Sequence, residues 1–556
     1  MKSWFKNSWF YLGALIAVVS VQKSWAEQDG DIDLEQWDAC LDEVELSCAI
    51  DAKTKLLKNN SFSDLNKDEL GLVAKTLFHQ GSYLELEQVL DVLEYPESDP
   101  EDGTPFRSTV RASKGLLNYE SDEQSIEIRH GRGVESVLAE EAMMTLAAAQ
   151  TEYERIFGGI PQHNLVLDIF PTAARFIDAS GLPPEAVRTT GVIALSKWNR
   201  LLLTSPRAMS SGYDWKDTIA HEYVHLVVAW RTGDKAPVWL QEGLAKFFEA
   251  SWKTDGRPGS RPKGGYLTSY QQSLLAEALT TEAFVPFEKF KYSMAYLESS
   301  EEAALAFAQV SSMIDFMYLR SGEAGISELM DRVKQGQDPM LVVAQLTGMS
   351  SFEEFEADWK VYIRSLPLVQ EQLAGQPVAL DGAGGDFASD PLLSKRKDLA
   401  RYARIGDLLL DKNRPKAALV EYSKAKEGAQ SSEEPEPPSP HLISQEANCH
   451  FKLGNLEKAM EIVSSGLSLY PEYPPLYIGR AEILEAQGRY DQSIGDWREA
   501  HDIDPYQIKV EKALARGYEK QGDSVLSDRH ERYVEVLESG GAVQIEGSAP
   551  LWPTSE

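Results

Sequence analysis

Apolar positions change their period along the chain, and those changes mark out its parts. Residues 70–78 and 84–93 carry apolar side chains at helical spacing, with Gly81 and Ser82 between them. This predicts a helical hairpin within a run of short helices over 27–98. Residues 96–105, rich in Pro, Asp, Glu and Gly, read as a linker. The pattern then mixes. Alternation at 126–128 predicts a strand, 135–157 a long amphipathic helix, 165–170 a strand stopped by Pro171, and 172–179 a short helix. Two more strands, 191–195 and 200–204, flank Ser196 to Asn199 as a hairpin. A helix over 215–230 has strongly apolar flanks, so it is expected to be buried. After a polar turn, Pro237 suits the start of a second helix over 236–249, with Leu240, Leu244, Phe247 and Phe248 as its buried stripe. Residues 303–366 are all helical in pattern, at 310–319, 325–334, 339–347 and 352–363, and Ser351 with Glu354 fits a capping box.

The last third repeats itself. A Gly-, Ala-, Gln- and Asp-rich stretch, 369–394, reads as a flexible linker. Beyond it Gly454, Gly488 and Gly522 stand 34 residues apart, as do Pro471 and Pro505, with Ala447, Ala481 and Ala515 at a common small position. That period matches tetratricopeptide repeats. Gly406, Ala418, Tyr422 and Ala425 fit an earlier unit, and 431–440 reads as an inserted loop. Four stacked hairpins are therefore expected over 395–541, followed by a disordered tail, 542–556. Such arrays usually bind a protein or peptide in a concave groove. The alternative is that this one packs on the preceding domain as a lid.

Composition narrows the function classes. A chain of 556 residues is too long for one core, and three or so domains is the prior. The net charge of −32 disfavours nucleic acid as a partner and leaves no polybasic membrane patch. Lys2 and Lys6, the apolar run 9–19 and Ser24-Trp25-Ala26 read as a secretory signal peptide, 1–26, cleaved after Ala26. An uncleaved anchor is the alternative, but the run is short for a span, which takes about 20 residues. The mature chain is thus expected to be periplasmic or secreted in a bacterium, with no membrane span. Export would let Cys40 and Cys48 form a disulfide, the alternative being two buried thiols. Cys449, far off in a repeat, reads as a packed thiol.

The candidate chemistry sits in the buried helix. His221-Glu222-Tyr223-Val224-His225 is H-E-x-x-H. Positions four apart lie one above the other on a helix, so two imidazoles can grip one metal ion. Glu222 can then reach a metal-bound water and take its proton as hydroxide attacks a carbonyl. The bland reading is a surface helix with two solvated histidines. The apolar flanks count against it, because buried histidines need a partner. On the next helix Glu242 is an acid among apolar residues, which is costly unless it is paired or binds metal. Two histidines and a glutamate make a known catalytic zinc shell.

H-E-x-x-H followed by a short loop and Trp239-Leu240-Gln241-Glu242-Gly243-Leu244-Ala245 resembles the gluzincin superfamily, in particular the bacterial peptidase MA-like domains of exported proteins. The resemblance covers residues 106–368. It implies one Zn2+ per chain on His221, His225 and Glu242, with Glu222 as the catalytic base. It also implies an edge strand beside the metal that pairs with an extended peptide. Asn199, Arg200 and Leu202 would then border the cleft, an ordinary core strand being the alternative. The chain departs from the pattern in two places. The Gly-x-Met-Glu-Asn segment of gluzincin aminopeptidases is absent. Where a Tyr-Ala-Gln-Ser-like stretch would carry an oxyanion-supporting tyrosine, the chain reads Phe307-Ala308-Gln309-Val310-Ser311. Tyr292, Tyr296 and Tyr318 are the candidate substitutes.

The fold expected is an α+β zincin-like metallopeptidase domain, a small mixed sheet plus helices, followed by an all-α tetratricopeptide-repeat domain. The function expected is a zinc-dependent peptidase whose repeats bind protein or peptide. The alternative is a non-catalytic periplasmic scaffold in which the repeats work and the zincin-like domain is structural. A zinc hydrolase of a non-peptide amide is a third reading, since the same shell serves several carbonyl substrates.

Overall fold

A computed structural model of the chain describes residues 33–552, apart from 101–102, 121–124, 185–186, 188–191, 254–265, 292–293, 295–296, 298, 370–386, 388–389, 433–435, 544 and 546. The expected signal peptide therefore lies outside the described residues, as do Tyr292 and Tyr296. Among the described residues no helix is long and apolar enough to cross a membrane.

The chain opens with four helices, α1 (Leu34–Asp42), α2 (Leu46–Leu57), α3 (Lys67–Gln80) and α4 (Tyr83–Val92). Cys40 and Cys48 form a disulfide between the first two. Gly81 caps α3 in the left-handed region, φ 71°, which turns the chain into α4. Trp37, Leu77, Phe78 and Leu86 make this region its own core.

Next come α5 (Phe106–Ser113), β1 (Leu117–Glu120), β2 (Ile126–His130), α6 (Ala139–Phe157), β3 (Leu165–Phe170), α7 (Ala173–Ser180), β4 (Ala194–Lys197) and β5 (Arg200–Thr204). The long helix starts at Ala139 because Gly133–Leu138 is a 3-10 turn. The four-residue β1 was not expected from the sequence. With β6 (Ser548–Pro550), the strands form one mixed sheet in the order β4-β5-β3-β2-β1-β6. β3 runs parallel to both β2 and β5, and the other pairs are antiparallel. Period-2 alternation sends Leu165, Leu167, Ile169, Leu201 and Leu203 into the main core with α6. Phe170 and Leu202 face the opposite side with Phe176 of α7.

The main core continues through α8 (Trp215–Thr232), α9 (Val238–Phe248), α10 (Ser269–Thr281), α11 (Ser300–Lys334), α12 (Pro339–Leu346) and α13 (Phe352–Arg364). The two helices expected over 310–334 meet within α11 across a kink at Gly322, whose φ of 63° and ψ of −164° are not helical. Ser351 caps α13 by accepting the Glu354 N–H, but the reciprocal half of the expected box is missing. The Glu354 carboxylate instead accepts from the backbone N–H and hydroxyl of Ser350.

Four helical hairpins follow: α14 (Lys397–Asp411) with α15 (Pro415–Gln430), α16 (Pro440–Lys452) with α17 (Leu456–Leu469), α18 (Pro474–Ala486) with α19 (Tyr490–Ile503), and α20 (Ile508–Gln521) with α21 (Ser524–Glu538). Gly454, Gly488 and Gly522 all sit at φ 76–80°, so the 34-residue period is a period of left-handed turns. Gly406 lies against the Tyr422 ring with no room for a Cβ. This is a tetratricopeptide array.

Two boundaries differ from expectation. Residues 390–394 are not linker: Leu392 and Leu393 are buried in the first repeat, and the Asp390 carboxylate accepts their N–H groups and the Ser439 hydroxyl. Nor is the whole tail loose. Ser548–Pro550 forms β6, which pairs with β1 (Leu117 opposite Pro550), and Leu551 and Trp552 pack on the N-terminal core. Three strand residues carry too little pattern to be seen in sequence; a free sheet edge recruits them.

Candidate metal centre

The metal-motif helix, α8, is set up locally. Asp214 caps it by accepting the Asp217 N–H, and Gly233 ends it at φ 59°. Tyr223, Val224, Leu226, Val227 and Val228 are buried, which leaves His221, Glu222 and His225 on the less buried face. Helix α9 brings the third residue. Gly243, next to Glu242, lets α9 lie tight against α11: a Cβ there would stand 2.9 Å from Ile314 and 3.0 Å from the Val310 carbonyl oxygen. The turn between the helices therefore carries Glu242 under the two histidines.

The three ligand atoms converge. Glu242 Oε2 lies 3.6 Å from His221 Nε2 and 3.5 Å from His225 Nε2, and the two ring nitrogens are 3.2 Å apart. Zinc bonds of about 2.0–2.2 Å at tetrahedral angles separate neighbouring ligand atoms by about 3.3–3.6 Å. The donor set and its spacing therefore fit a zinc ion, with a fourth position left over. The side chains of His221, His225 and Glu242 keep 17, 14 and 24% of their surface exposed, so the cluster can be reached from solvent.

Around the cluster the electrostatics suit a cation. Burial opposes charge on His221, yet hydrogen bonds to Glu242 and Glu249 and the charge of Glu222 outweigh it and hold its pKa up at about 10. Burial raises the Glu242 carboxyl, but the two histidines more than reverse this and hold it well below the usual range. A proton on His221 thus neutralises the charge a metal ion would neutralise. Burial, with Glu242 nearby, pushes the Glu222 carboxyl up, against the pull of both histidines and a hydrogen bond from the Ser196 N–H.

Glu249 was missed by sequence reasoning. Its Oε2 lies 3.1 Å from His221 Nδ1, which orients the ring with Nε2 toward the cluster, and its other oxygen accepts from Lys246. Glu242, Lys246 and Glu249 at i, i+4 and i+7 share one helix face, and that spacing was the available signal.

The edge strand beside the motif is β4, not β5. β5 lies inside the sheet between β4 and β3, and Arg200 and Leu202 are fully buried. Arg200 reaches toward the N-terminal helices, bonding Tyr83 and lying 3.4 Å from Asp168, over the Phe78 ring. Asn199 sits in the Trp198-Asn199 hairpin turn, both at positive φ, with its amide 3.1 Å from the His79 ring. The hairpin lies beside the motif helix, but β5 is the ordinary core strand that stood as the alternative, and β4 is the outer arm. Hydrophobic alternation cannot tell an outer strand from its neighbour; pairing order can. Tyr318 is buried against Phe247 and Phe248, and its hydroxyl donates to Glu323 at 3.3 Å, so it is engaged as a packing residue.

The repeats close on this region. The second helices α17, α19 and α21 face α10, α8 and the 133–138 turn. Glu472, in the turn after α17, has its carboxyl raised by burial and by Asp214 and Glu249, against the pull of Lys246.

No protein-family model matches the chain. The TPR repeat-containing thioredoxin TTL4 of Arabidopsis thaliana is 28% identical over 88 residues, 16% of this chain and 13% of that protein. The chain thus spans about an eighth of that relative's length. Among solved structures, a crystal structure of MamA is 16% identical, covers 27% of this chain and 81% of its own, and has a TM-score of 0.21. MamA 41-end from Desulfovibrio magneticus RS-1 is 16% identical, over 26% of this chain and 97% of that one, at a TM-score of 0.18.

Proposed function

We propose that the chain is a zinc-dependent peptidase of gluzincin type, with zinc on His221, His225 and Glu242. The observation that carries this reading is the 3.2–3.6 Å triangle of ligand atoms with Glu222 beside it. Zinc held there would supply a Lewis acid that polarises a carbonyl and acidifies water. The chain's own residues do the rest. Glu249 holds His221 in its ligating tautomer. Glu222 takes the proton from the attacking water as the O–C bond forms, and passes it to the amine nitrogen as the C–N bond breaks. β4, whose Ser196 already donates to Glu222, offers the outer strand edge along which an extended peptide would lie.

The second reading is a scaffold whose repeats bind a protein partner. It is favoured by the tetratricopeptide array, by its likeness to TTL4, and by a polar cavity of about 440 Å3 between the first two repeats, lined by Asp407, Asp411, Gln445, Asn448 and Lys452.

One experiment separates them. Zinc content of the wild type is measured beside His221→Ala/His225→Ala, and a peptide library is then incubated with the wild type and Glu222→Gln. Zinc in the wild type, and cleavage that Glu222→Gln abolishes while keeping its zinc, support the peptidase. No zinc after reconstitution leaves the scaffold reading.

A further inference from the structure

A second polar knot lies where the repeats meet the sheet domain. His501, at the end of α19, has both ring nitrogens against carboxylates: Nε2 is 2.8 Å from Glu141 Oε1 on α6, and Nδ1 is 2.7 Å from Glu511 Oε1 on α20. An imidazole donates from both nitrogens only when it carries both protons. The other Glu511 oxygen is 2.7 Å from His530 Nδ1 on α21. The other Glu141 oxygen accepts from Lys216 Nζ at 3.1 Å, and Lys216 also pairs with Asp502. Lys216 stands in the first turn of α8, five residues before His221. The Tyr533 ring stacks parallel to His501, and Arg529 pairs with Glu140 alongside at 3.0 Å. Glu141, Lys216, His501, Glu511 and His530 are all buried.

We infer that His501 is a positioning residue: as an imidazolium clamped between Glu141 and Glu511, it fixes the repeat array to α6 and to the first turn of α8, so that the array is a rigid part of the unit that carries the H-E-x-x-H helix. The charges favour it. Glu141 and Asp502 face Lys216, Glu511 faces His501, and a charge on His501 reduces a negative excess that would otherwise be left largely buried, which is strongly unfavourable. Burial disfavours the charged ring, but Glu141 and Glu511 outweigh this and raise its pKa well above the ordinary value. Glu141 and Glu511 are lowered, burial being reversed for Glu141 by His501 and Lys216 and for Glu511 chiefly by His501. The raised histidine stabilises docking fully below its free pKa, near 6.5, and the contribution fades as pH rises toward the docked value. The lowered carboxylates contribute above their free values and lose this in acid.

The test is backbone amide exchange over α6 and the start of α8 in the full-length protein, corrected for intrinsic exchange. Above the free histidine value, near 6.5, and below the docked value, the wild-type opening constant is expected to rise with pH toward about tenfold per pH unit, the slope of one proton. His501→Gln is expected to open more readily at pH 7 and to lose that slope. If His501→Gln does not fold, Glu141→Gln is measured, with a higher opening constant and a shallower slope expected. A wild-type opening constant that ignores pH, or an unchanged slope in the variant, overturns the inference. So does a second zinc per chain that survives His221→Ala/His225→Ala and vanishes in His501→Gln. Neither zinc at the first cluster nor peptide cleavage enters the exchange readout, so the peptidase reading can fail without it.

Discussion

Two clusters in this molecule are built from the same two residue types, and they differ by less than an ångström. At His221, His225 and Glu242 the donor atoms stand 3.2–3.6 Å apart. At His501, Glu511 and His530 the Nδ1 of each histidine meets a Glu511 oxygen at 2.7 Å. The first spacing would suit donor atoms around a central ion; the second is that of atoms sharing a proton. The surroundings agree. The first cluster is partly open to solvent and its histidine leans on a second carboxylate, Glu249. The second is sealed between two domains, with Lys216 and the His501 proton supplying positive charge. Residue type makes both clusters candidates for a metal, and spacing and access separate them.

The largest expected effect breaks the comparison outright. His221→Ala/His225→Ala should lose all bound zinc, while His501→Gln/His530→Gln should keep about one per chain, read by elemental analysis of folded protein. Next, Glu222→Gln should cut peptide cleavage by about 100-fold or more at unchanged zinc content, because only the proton-transfer group is lost. His501→Gln should lower stability to urea by about 3–5 kcal/mol, the usual effect of removing one partner from a buried charged network. Its deficit should shrink as pH rises above neutral, because unfolding of the wild type then releases that proton. Glu249→Gln should weaken zinc binding about 10- to 100-fold in a chelator competition. The smallest effect tests the packing beneath the metal cluster. Gly243→Ala should destabilise by about 1–3 kcal/mol, since its Cβ would press on Ile314 and Val310. Equal zinc loss in both histidine doubles would erase the contrast; a large effect of Glu249→Gln would sharpen it.

The H-E-x-x-H spacing and the acid on the following helix were legible because both are local: helix geometry alone puts His221 and His225 on one face. The 34-residue period was legible for the same reason, each repeat being a hairpin whose left-handed turn calls for glycine at Gly454, Gly488 and Gly522. What lay out of reach was pairing at a distance. β4 rather than β5 is the outer strand beside the motif helix because β5 pairs with β3, a partner 30 or more residues away that alternation cannot name. Arg200 had the look of a cleft residue and serves instead to anchor the N-terminal helices, since Tyr83 and Asp168 meet it only in the fold. β6 and the packed residues 390–394 were hidden by composition that suits a loop equally well.

Local geometry was written in the chain's own pattern: the helices, the repeat period and the pair of histidines on α8. Backbone propensity and periodic burial act within a few turns, and a few turns of chain carry them whole. The fold had to supply the carboxylates of the second histidine cluster and the distances within both. Glu242 reaches its partners across a helix turn and Glu141 reaches His501 across 360 residues. Whether such atoms stop at 2.7 Å or at 3.5 Å depends on how closely neighbouring helices can pack, and that is set by side chains from every part of the chain at once.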